Sequence, residues 1–322
     1  MTAPTLGTRV IAVTGASGFV GRRLMLRLRS AGWPTIALSR RDGPQADKED
    51  PATGVDYSNV EELTRLLTGV DALIHLAARA HQPGVKEGAA HVFRHANVEP
   101  TVCLARACIA AGVRRFVLVS SIGVNGNQTS GKPFSVDDTP RPTEAYARSK
   151  WEAELELAAA LRGHPVEYVV VRPPLVYGPG CPGNFASLLR LVARAPLVPL
   201  GGLDARRSFL YIDNLVDALL VAAHHPSIAG RTFVLADERD VSVAEVVREL
   251  ATVLRPGAKV VINVPSWALS VLARLAGRHE SFAKLAAPLQ VDASAFRNAT
   301  GWRAAVDPAE GLQETARQFR LA

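Results

Sequence analysis

Tyr146 and Lys150 form the pair of residues with the clearest chemical meaning in this sequence, within the segment Tyr146-Ala147-Arg148-Ser149-Lys150. In a helix, residues four positions apart lie on the same side, so both side chains face one point. A tyrosine with an ordinary pKa of about 10 is a poor base at neutral pH. A neighbouring lysine cation and an oxidised nicotinamide ring both lower that pKa. The pair therefore predicts proton transfer beside a hydride-transfer step, although the same spacing is also common on helix surfaces.

Ser121 is a second candidate for the same chemistry. It follows the apolar segment Phe116–Val119, which is typical of a buried strand, and the carboxyl ends of parallel strands are where α/β sheets bind ligands. A serine there can hydrogen-bond both the reacting oxygen and Tyr146. Serines at strand ends also often do no more than cap a turn.

A glycine-rich segment lies between the first predicted strand and the first predicted helix. It reads Gly15-Ala16-Ser17-Gly18-Phe19-Val20-Gly21. Small residues at this point let backbone N–H groups approach a pyrophosphate, whose charge the helix N-terminus favours. The segment predicts a dinucleotide site, with contacts from Gly15, Ser17, Gly18, Phe19, Val20 and Gly21.

Arg40 and Arg41 close the second predicted strand, where a carboxylate is typical of NAD sites and an arginine accommodates a 2′-phosphate. The cofactor is therefore NAD or NADP, and the arginine pair favours NADP. Both arginines can alternatively be solvated loop charges. Further along, Asp56 is either an adenine contact or an ordinary loop acid.

Strand and helix patterns alternate over the first half of the chain. Apolar strands at Val10–Val13, Thr35–Leu38, Ala72–Leu76, Phe116–Val119 and Tyr168–Val171 alternate with amphipathic helices. The alternation predicts an α/β, Rossmann-like, doubly wound parallel sheet. We expect residues 1–174 and about 208–236 to form the dinucleotide-binding domain. Residues 175–207 and 237–322 are expected to form a smaller interleaved substrate lobe, because prolines and glycines crowd the loop after Arg172.

The composition excludes several other classes of protein. The net charge of +7 comes from dispersed arginines rather than a basic run, so we expect an anionic small molecule and no nucleic acid. Three cysteines without metal-binding spacing predict neither disulfides nor a metal site, and the histidines show no ligand spacing. No apolar run reaches the length of a membrane span, and no signal peptide is evident, so we expect a cytoplasmic protein. Trp267–Ala276 is predicted as a core helix, with attachment to a membrane surface as the alternative.

Seven motifs together resemble the extended short-chain dehydrogenase/reductases of the NAD-dependent epimerase/dehydratase group. They are TGASGFVG (14–21), HLAA (75–78), Asn97, VSSIGVNG (119–126), YARSK (146–150), RPPLVYGPG (172–180) and RRSFLYIDN (206–214). The resemblance implies a nicotinamide cofactor and a catalytic Tyr/Lys pair. It makes Ser121 the partner of the substrate hydroxyl, Tyr146 the acid–base and Lys150 the cation that binds the cofactor ribose.

The resemblance also assigns further contacts. The cofactor contacts that it implies, beyond Tyr146 and Lys150, are Leu76, Ala77, Ala78, Asn97, Pro173 and Val176. Asn97 would support the site from its helix, or simply cap that helix. The substrate contacts that it implies, beyond Ser121 and Tyr146, are Asn125, Asn184, Phe185, Arg207 and Arg278, with Arg207 on the UDP pyrophosphate. Where the family commonly has Val-Tyr-Gly, this chain has Val-Asn-Gly at 124–126, which indicates an altered sugar pocket.

Within the group, the sequence is most similar to UDP-hexose 4-epimerases and the related 4-keto-sugar reductases of surface-polysaccharide synthesis. We therefore expect hydride exchange at C4 of a UDP-hexose or UDP-N-acetylhexosamine. Two alternatives remain open: an NADP-dependent reductase of steroid- or flavonoid-like ketones, and a non-catalytic NAD(P)-sensing protein of the same fold. A homodimer is expected from the resemblance, with Val98–Ala111 and Tyr146–Leu161 packing as a four-helix bundle.

Overall fold

A parallel sheet of seven strands dominates the computed structural model, which describes residues 9–41, 52–79, 90–275, 277 and 279–321. Every strand pair in this sheet is parallel. In spatial order the strands are β3 (Thr53–Val55), β2 (Thr35–Arg40), β1 (Val10–Thr14), β4 (Val70–His75), β5 (Arg115–Val119), β6 (Glu167–Arg172) and β10 (Arg231–Val234). The chain reverses its direction of travel across the sheet between β3 and β4, which is the arrangement of a dinucleotide-binding α/β fold.

Helices cover both faces of the sheet, as parallel strands require. The helices are α1 (Phe19–Ser30), α2 (Val60–Leu67), α3 (Ala90–Phe93), α4 (Glu99–Ala111), α5 (Ala145–Leu161) and α7 (Ile212–His224). Helices α1 and α7 pack together over one face, and α2, α4 and α5 pack over the other. Because the sheet is buried on both sides, Ile11, Ala12 and Val13 of β1 are all fully buried. The predicted Rossmann-like, doubly wound class is confirmed.

A second core lies beside the carboxyl edge of the sheet. Its elements are β7 (Leu175–Tyr177), α6 (Gly183–Arg194), β8 (Arg206–Arg207), β9 (Phe209–Tyr211), β11 (Val241–Ser242), α8 (Val243–Leu254), α9 (Ser266–Leu275), α10 (His279–Ala286) and α12 (Pro308–Leu321). Strands β7 and β9 pair in parallel, and β8 pairs with β11 in the antiparallel sense. A Ser242–Glu245 capping box begins α8, whose apolar side enters this core.

The helix α11 (Ser294–Thr300) packs differently from the rest of the C-terminal segment. Its Phe296 is fully buried in the core beneath the main sheet, 5.2 Å from the ring of Phe233 on β10. The segment 237–322 is therefore divided between the two cores, and the exact domain boundaries stay a prediction. Within the described residues, no helix has the length and apolar composition needed to cross a bilayer.

Candidate active site

The glycine turn after β1 packs directly against the loop after β4. Gly15 has a φ of +69°, and a Cβ added there would lie 2.7 Å from the backbone nitrogen of Ala77. A Cβ at Gly21 would lie 2.1 Å from the carbonyl oxygen of Gly15. Only glycine therefore allows the turn, the first helical turn of α1 and the β4 loop to lie this close together. The exposed Gly18 precedes the first residue of α1, so the N-terminus of that helix opens beside the turn.

A cleft of about 620 Å³ lies above this turn at the carboxyl edge of the sheet. Nine predicted cofactor residues line it: Gly15, Ser17, Gly18, Arg40, Arg41, Asp56, Leu76, Ala77 and Ala78. Arg41 forms an ion pair with Glu62 at 2.7 Å, and the Asp56 carboxylate accepts hydrogen bonds from Ser58, which lower the Asp56 pKa. Arg40 is the exposed arginine at the end of β2 for which no such ion pair is seen among the described residues.

The remaining predicted cofactor residues lie outside the lining of that cleft. Phe19 packs against the second core and Val20 against the core beneath the sheet, while Val176 contacts both. The carbonyl of the buried Pro173 accepts a hydrogen bond from the backbone of Ile122. Phe19, Val20 and Val176 thus pack in the two cores, and Pro173 contacts the backbone that follows Ser121.

Tyr146 and Lys150 both lie in the first two turns of α5. Tyr146 is half-buried with its ring edge-on to Phe93, and burial raises the pKa of its phenol to about 12. Lys150 is buried, with 1% of its surface exposed, and desolvation lowers its pKa to about 8. The carboxylate of Glu154, one turn further along α5, opposes that shift by favouring the ammonium form. Among the described residues, none forms a hydrogen bond with the Lys150 ammonium group.

Ser121 precedes a short 3₁₀ turn, Ile122–Val124, after β5. Its Oγ accepts a hydrogen bond from the backbone of Gly123 at 3.1 Å. A Cβ at Gly123 would lie 3.3 Å from the methyl group of Ala147 and 3.4 Å from Ser121 Oγ. The missing side chain at Gly123 therefore brings the Ser121 turn against α5, one residue after Tyr146. The capping contact and the predicted substrate contact are both available to this hydroxyl.

Asn97 lies in a single π-helical turn, Arg94–Val98, before α4. Its Oδ1 accepts from the backbone of Arg79 at 2.7 Å, and its Nδ2 donates to Ser149 Oγ at 2.9 Å. Ser149 lies between Tyr146 and Lys150 along α5. Asn97 therefore joins the loop after β4 to α5, and it does not cap its own helix.

His75 connects the same loop to α4 through a buried chain of hydrogen bonds. The backbone N–H of Ala77 donates to Thr14 Oγ1, which lies 2.6 Å from His75 Nδ1. On the other side, His75 Nε2 lies 3.1 Å from Thr101 Oγ1, whose hydroxyl donates to the carbonyl of Asn97. Because the Thr101 proton is already used, Nε2 must carry the imidazole proton and Nδ1 must accept. Burial and the nearby Lys150 cation lower the His75 pKa to about 3, which keeps the ring neutral.

A buried ion pair underlies the Ser121 turn. Arg172, at the end of β6, donates from Nη2 to Glu154 at 2.5 Å and from Nη1 to Asn125 Oδ1 at 3.0 Å. Glu154 also accepts a hydrogen bond from Ser120 Oγ. The amide nitrogen of Asn125 donates to the carbonyl of Ser135. Both polar atoms of Asn125 are therefore engaged in this network, and its assignment to the sugar pocket stays a prediction.

The predicted substrate residues of the second core have different surroundings. Phe185 is buried and stacks on Tyr177 at 5.5 Å, whereas Asn184 is exposed in the first turn of α6. Arg207 Nη1 donates to the carbonyls of Lys284 and Ala287 at the end of α10, and burial lowers its pKa. Arg278 lies outside the described residues. The substrate roles of these residues stay predictions.

Two residues that line the cleft, Tyr57 and Ser39, were not predicted from the sequence. Tyr57 donates to the carbonyl of Leu38 at 3.3 Å, and Ser39 Oγ lies 3.4 Å from Ser17 Oγ. Burial raises the pKa of Tyr57 to about 12, so its phenol is a neutral donor beside the cleft. The sequence signal for Ser39 was its position at the end of a strand. Tyr57 gave none, because it follows β3, whose three residues are too few to show a strand pattern in the sequence.

The residues present fit a nicotinamide dinucleotide. The glycine turn has no room for side chains, so its backbone is open to a pyrophosphate, and a buried cation stands beside the tyrosine of α5. A parallel sheet with these features defines an enzyme of short-chain dehydrogenase/reductase type. The chain belongs to the NAD dependent epimerase/dehydratase family, whose model matches residues 11–236.

Comparison with individual proteins gives the same family. The chain is 37% identical to a UDP-glucose 4-epimerase of Vibrio cholerae, over 97% of this chain and 96% of that protein. It is 30% identical to a ceramide reductase of Caulobacter vibrioides, over 67% of this chain and 62% of that protein. Among solved structures, MoeE5 in complex with UDP-glucuronic acid and NAD superposes with a TM-score of 0.75 at 26% identity, covering 97% of this chain and 99% of that one.

Proposed function

We propose that this enzyme exchanges a hydride at C4 of a UDP-linked hexose or N-acetylhexosamine, as a 4-epimerase for surface-polysaccharide precursors. The observation that carries the proposal is the placement of Tyr146 and Lys150 on α5, next to the Ser121 turn and tied by Asn97 to the β4 loop. The choice of a UDP-sugar is supported by the Vibrio cholerae relative and by the ligands named for MoeE5.

Lys150 has two tasks in this proposal. Its ammonium group would hydrogen-bond the ribose of the cofactor and stabilise the Tyr146 phenolate by its charge. Burial weakens both effects, because it lowers the Lys150 pKa to about 8. The Glu154 carboxylate favours the ammonium form and so opposes this lowering of the pKa. When bound, the nicotinamide supplies the two-electron chemistry by accepting a hydride from C4 and returning it.

Tyr146 moves the proton that accompanies each hydride transfer. As a phenolate it takes the proton of the C4 hydroxyl, and as a phenol it returns that proton when the 4-keto sugar is reduced on its other face. Ser121 would hold the same oxygen by a hydrogen bond. Burial alone raises the phenol pKa to about 12, so the catalytic state depends on added positive charge near Tyr146.

Arg207 and Asn184 are proposed to bind the UDP part of the substrate. Asn184 is exposed at the start of α6, where a helix N-terminus favours negative charge. The Arg207 guanidinium donates to carbonyl oxygens and, among the described residues, forms no ion pair with a carboxylate, so its positive charge stays available to a pyrophosphate. We further propose a homodimer and a cytoplasmic location, which suits three unpaired thiols.

The test uses purified enzyme with UDP-glucose or UDP-N-acetylglucosamine and no added cofactor, with the epimer detected by proton NMR. We expect epimer formation, because an epimerase regenerates and retains its cofactor. Tyr146→Phe should lower the rate by at least about a thousandfold, whereas the matched control Tyr168→Phe, at the opposite end of the sheet on β6, should not. Unchanged turnover in Tyr146→Phe would exclude the mechanism.

A 4-keto-sugar reductase is the second candidate, and the exposed Arg40 favours it. A reductase consumes exchangeable NADPH, and an arginine at the end of β2 accommodates a 2′-phosphate. Denaturing the purified enzyme and identifying any released nucleotide separates the two functions. Retained NAD supports the epimerase, while an empty enzyme that oxidises NADPH with a UDP-4-keto sugar supports the reductase.

A further inference from the structure

Helix α9 turns large apolar side chains towards solvent. Trp267 is 72% exposed and Leu275 is 81% exposed, and Val271 and Leu272 are also more than half exposed. Positions 267, 271 and 275 are four residues apart, so their side chains share one side of the helix, with Leu272 at its border. We call these four residues the α9 apolar face. Leu269, on the other side of α9, is buried in the second core.

Two apolar side chains outside α9 are also exposed, one of them on the segment that leads into this helix. Ile262 is 38% exposed and Leu197 is 53% exposed, and the two lie on neighbouring segments because Ile262 donates a backbone hydrogen bond to Val198 at 3.0 Å. The intervening Val264 packs its backbone against Gly202 and leads into α9. Exposed apolar surface of this extent marks a binding surface.

The charge of the segment identifies the kind of partner. Residues 250–279 contain no Asp or Glu, and they contain four basic residues: Arg255, Lys259, Arg274 and Arg278. Arg274 is exposed on α9 next to the apolar face. A tryptophan and leucines flanked by cations match the interface of an anionic bilayer. A second copy of the chain fits poorly, because a symmetric contact would oppose Arg274 to its counterpart without an acid from this segment.

We propose that the α9 apolar face docks on the surface of a membrane that contains anionic phospholipids. The helix lies in the plane of the interface, since its ten residues are too few to cross the bilayer. The apolar side chains enter the boundary between headgroups and acyl chains, and Arg274 contacts phosphates. The proposal does not depend on the sugar substrate.

Helix α10 connects the α9 apolar face to the candidate active site. Helix α9 packs on α10, whose last carbonyls accept hydrogen bonds from Arg207. The ammonium group of Lys284 on α10 forms a 2.7 Å ion pair with Glu144, which directly precedes α5. The α9 apolar face is therefore linked, through α10, to the predicted substrate residue Arg207 and to the start of α5.

Co-sedimentation with vesicles tests the proposal. We expect the full-length enzyme to pellet with vesicles of phosphatidylcholine containing about 30% phosphatidylglycerol at about 0.15 M ionic strength, and much less with phosphatidylcholine alone. The double variant Trp267→Ser/Leu275→Ser should lower the partition coefficient at least about tenfold. Leu26→Ser is the matched control, because Leu26 is 58% exposed on α1, far along the chain from this surface.

Two further readouts separate the outcomes. Arg274→Glu should lower binding to anionic vesicles by about fivefold without changing binding to neutral ones, and the Trp267 fluorescence should shift to the blue on binding. Enzyme that stays in the supernatant overturns the proposal, as does equal loss in Leu26→Ser. A lipid-free dimer that the double variant dissociates would assign the face to a second copy instead. Circular dichroism confirms that each variant is folded.

Discussion

Asn97 Nδ2 donates a 2.9 Å hydrogen bond to Ser149 Oγ, and this contact joins two helices whose residues are 52 positions apart in the chain. Ser149 Oγ in turn donates to the carbonyl of Tyr146 at 2.8 Å. Helix α5 is therefore anchored at the turn that contains both Tyr146 and Lys150. Since Asn97 also accepts from Arg79, the loop after β4 and the start of α5 are connected through this one side chain.

Replacing Asn97 with Asp should separate these two contacts. The carboxylate can still accept from Arg79, but it has no proton to donate to Ser149. We expect kcat to fall about tenfold or more with a smaller change in NAD affinity, since a buried acceptor is left unpaired. Steady-state kinetics and calorimetry measure the two effects. Asn59→Asp, at the exposed N-cap of α2, is the matched control and should retain full activity.

The buried pair of Glu154 and Arg172 should be a sensitive point for stability. Both side chains are 4% exposed, so Arg172→Met leaves an unpaired carboxylate inside the protein. We expect the free energy of unfolding to fall by about 3–5 kcal/mol. Adding Glu154→Met in the same chain should restore most of that loss. Urea denaturation measures both variants, and a loss below about 1 kcal/mol in the single variant would show that the pair is not desolvated.

Lys150 should make stability depend on pH with a defined sign. Its pKa is about 8 in the fold against 10.5 in the unfolded chain, so the unfolded state binds more protons between these values. Burial of the charged Lys150 ammonium group lowers the free energy of unfolding by its full amount below pH 8. This destabilisation disappears as the pH rises from 8 to 10.5. We expect Lys150→Met to be inactive but more stable, by up to about 3 kcal/mol at neutral pH.

The stability of Lys150→Met at several pH values tests this expectation. The stability advantage of Lys150→Met should shrink between pH 8 and pH 10.5, as followed by urea denaturation at several pH values. Lys132→Met, at an exposed surface position, should show no such trend. If the variant were more stable than the wild type by the same amount at every pH, the gain would come from better packing of the methionine and not from removing a buried charge.

Arg40 should decide the affinity for a 2′-phosphate. Both arginines are exposed, but Arg41 is already paired with Glu62, whereas Arg40 forms no ion pair among the described residues and can meet a phosphate. We expect Arg40→Ala to weaken NADPH binding about tenfold and NADH binding little. Fluorescence titration measures both constants. Equal losses for the two cofactors would show that Arg40 reads no 2′-phosphate.

Leu155 should contribute to the proposed dimer. It is 52% exposed on the outer side of α5, one of the two helices expected to form a four-helix bundle. An arginine there would be buried without a partner in the dimer, so Leu155→Arg should shift the enzyme towards monomer. Light scattering after size exclusion measures the mass. Leu321→Arg, at a leucine that is 82% exposed at the end of α12, should leave the mass unchanged.

The sequence predicted the parts of the site whose signals are local. The Gly15–Gly21 spacing, the Tyr146/Lys150 pair and the alternation of strands and helices each depend on residues within one or two elements. The parallel sheet is confirmed, and the glycine turn lines the cleft at its carboxyl edge.

The missing parts depend on contacts between distant segments. His75 showed no spacing typical of a metal ligand, and nothing in the sequence predicted its hydrogen bond with Thr14, 61 residues away. Asn125 Oδ1 accepts a hydrogen bond from Arg172, 47 residues further on, and the sequence did not predict this contact. Local spacing carries no information about such pairings, because they arise only when the sheet brings its strand ends together.

The hydrogen-bond chain through His75 can run in one direction only. It starts at the peptide N–H of Ala77, which has a single hydrogen, and it ends at the Asn97 carbonyl, which has none to give. No proton can therefore be relayed along it, so its role is mechanical. A bound ligand that displaced the loop after β4 would strain all the hydrogen bonds of this chain, from Ala77 through His75 to Asn97. The displacement would thereby affect the start of α4, which comes about twenty residues later in the sequence.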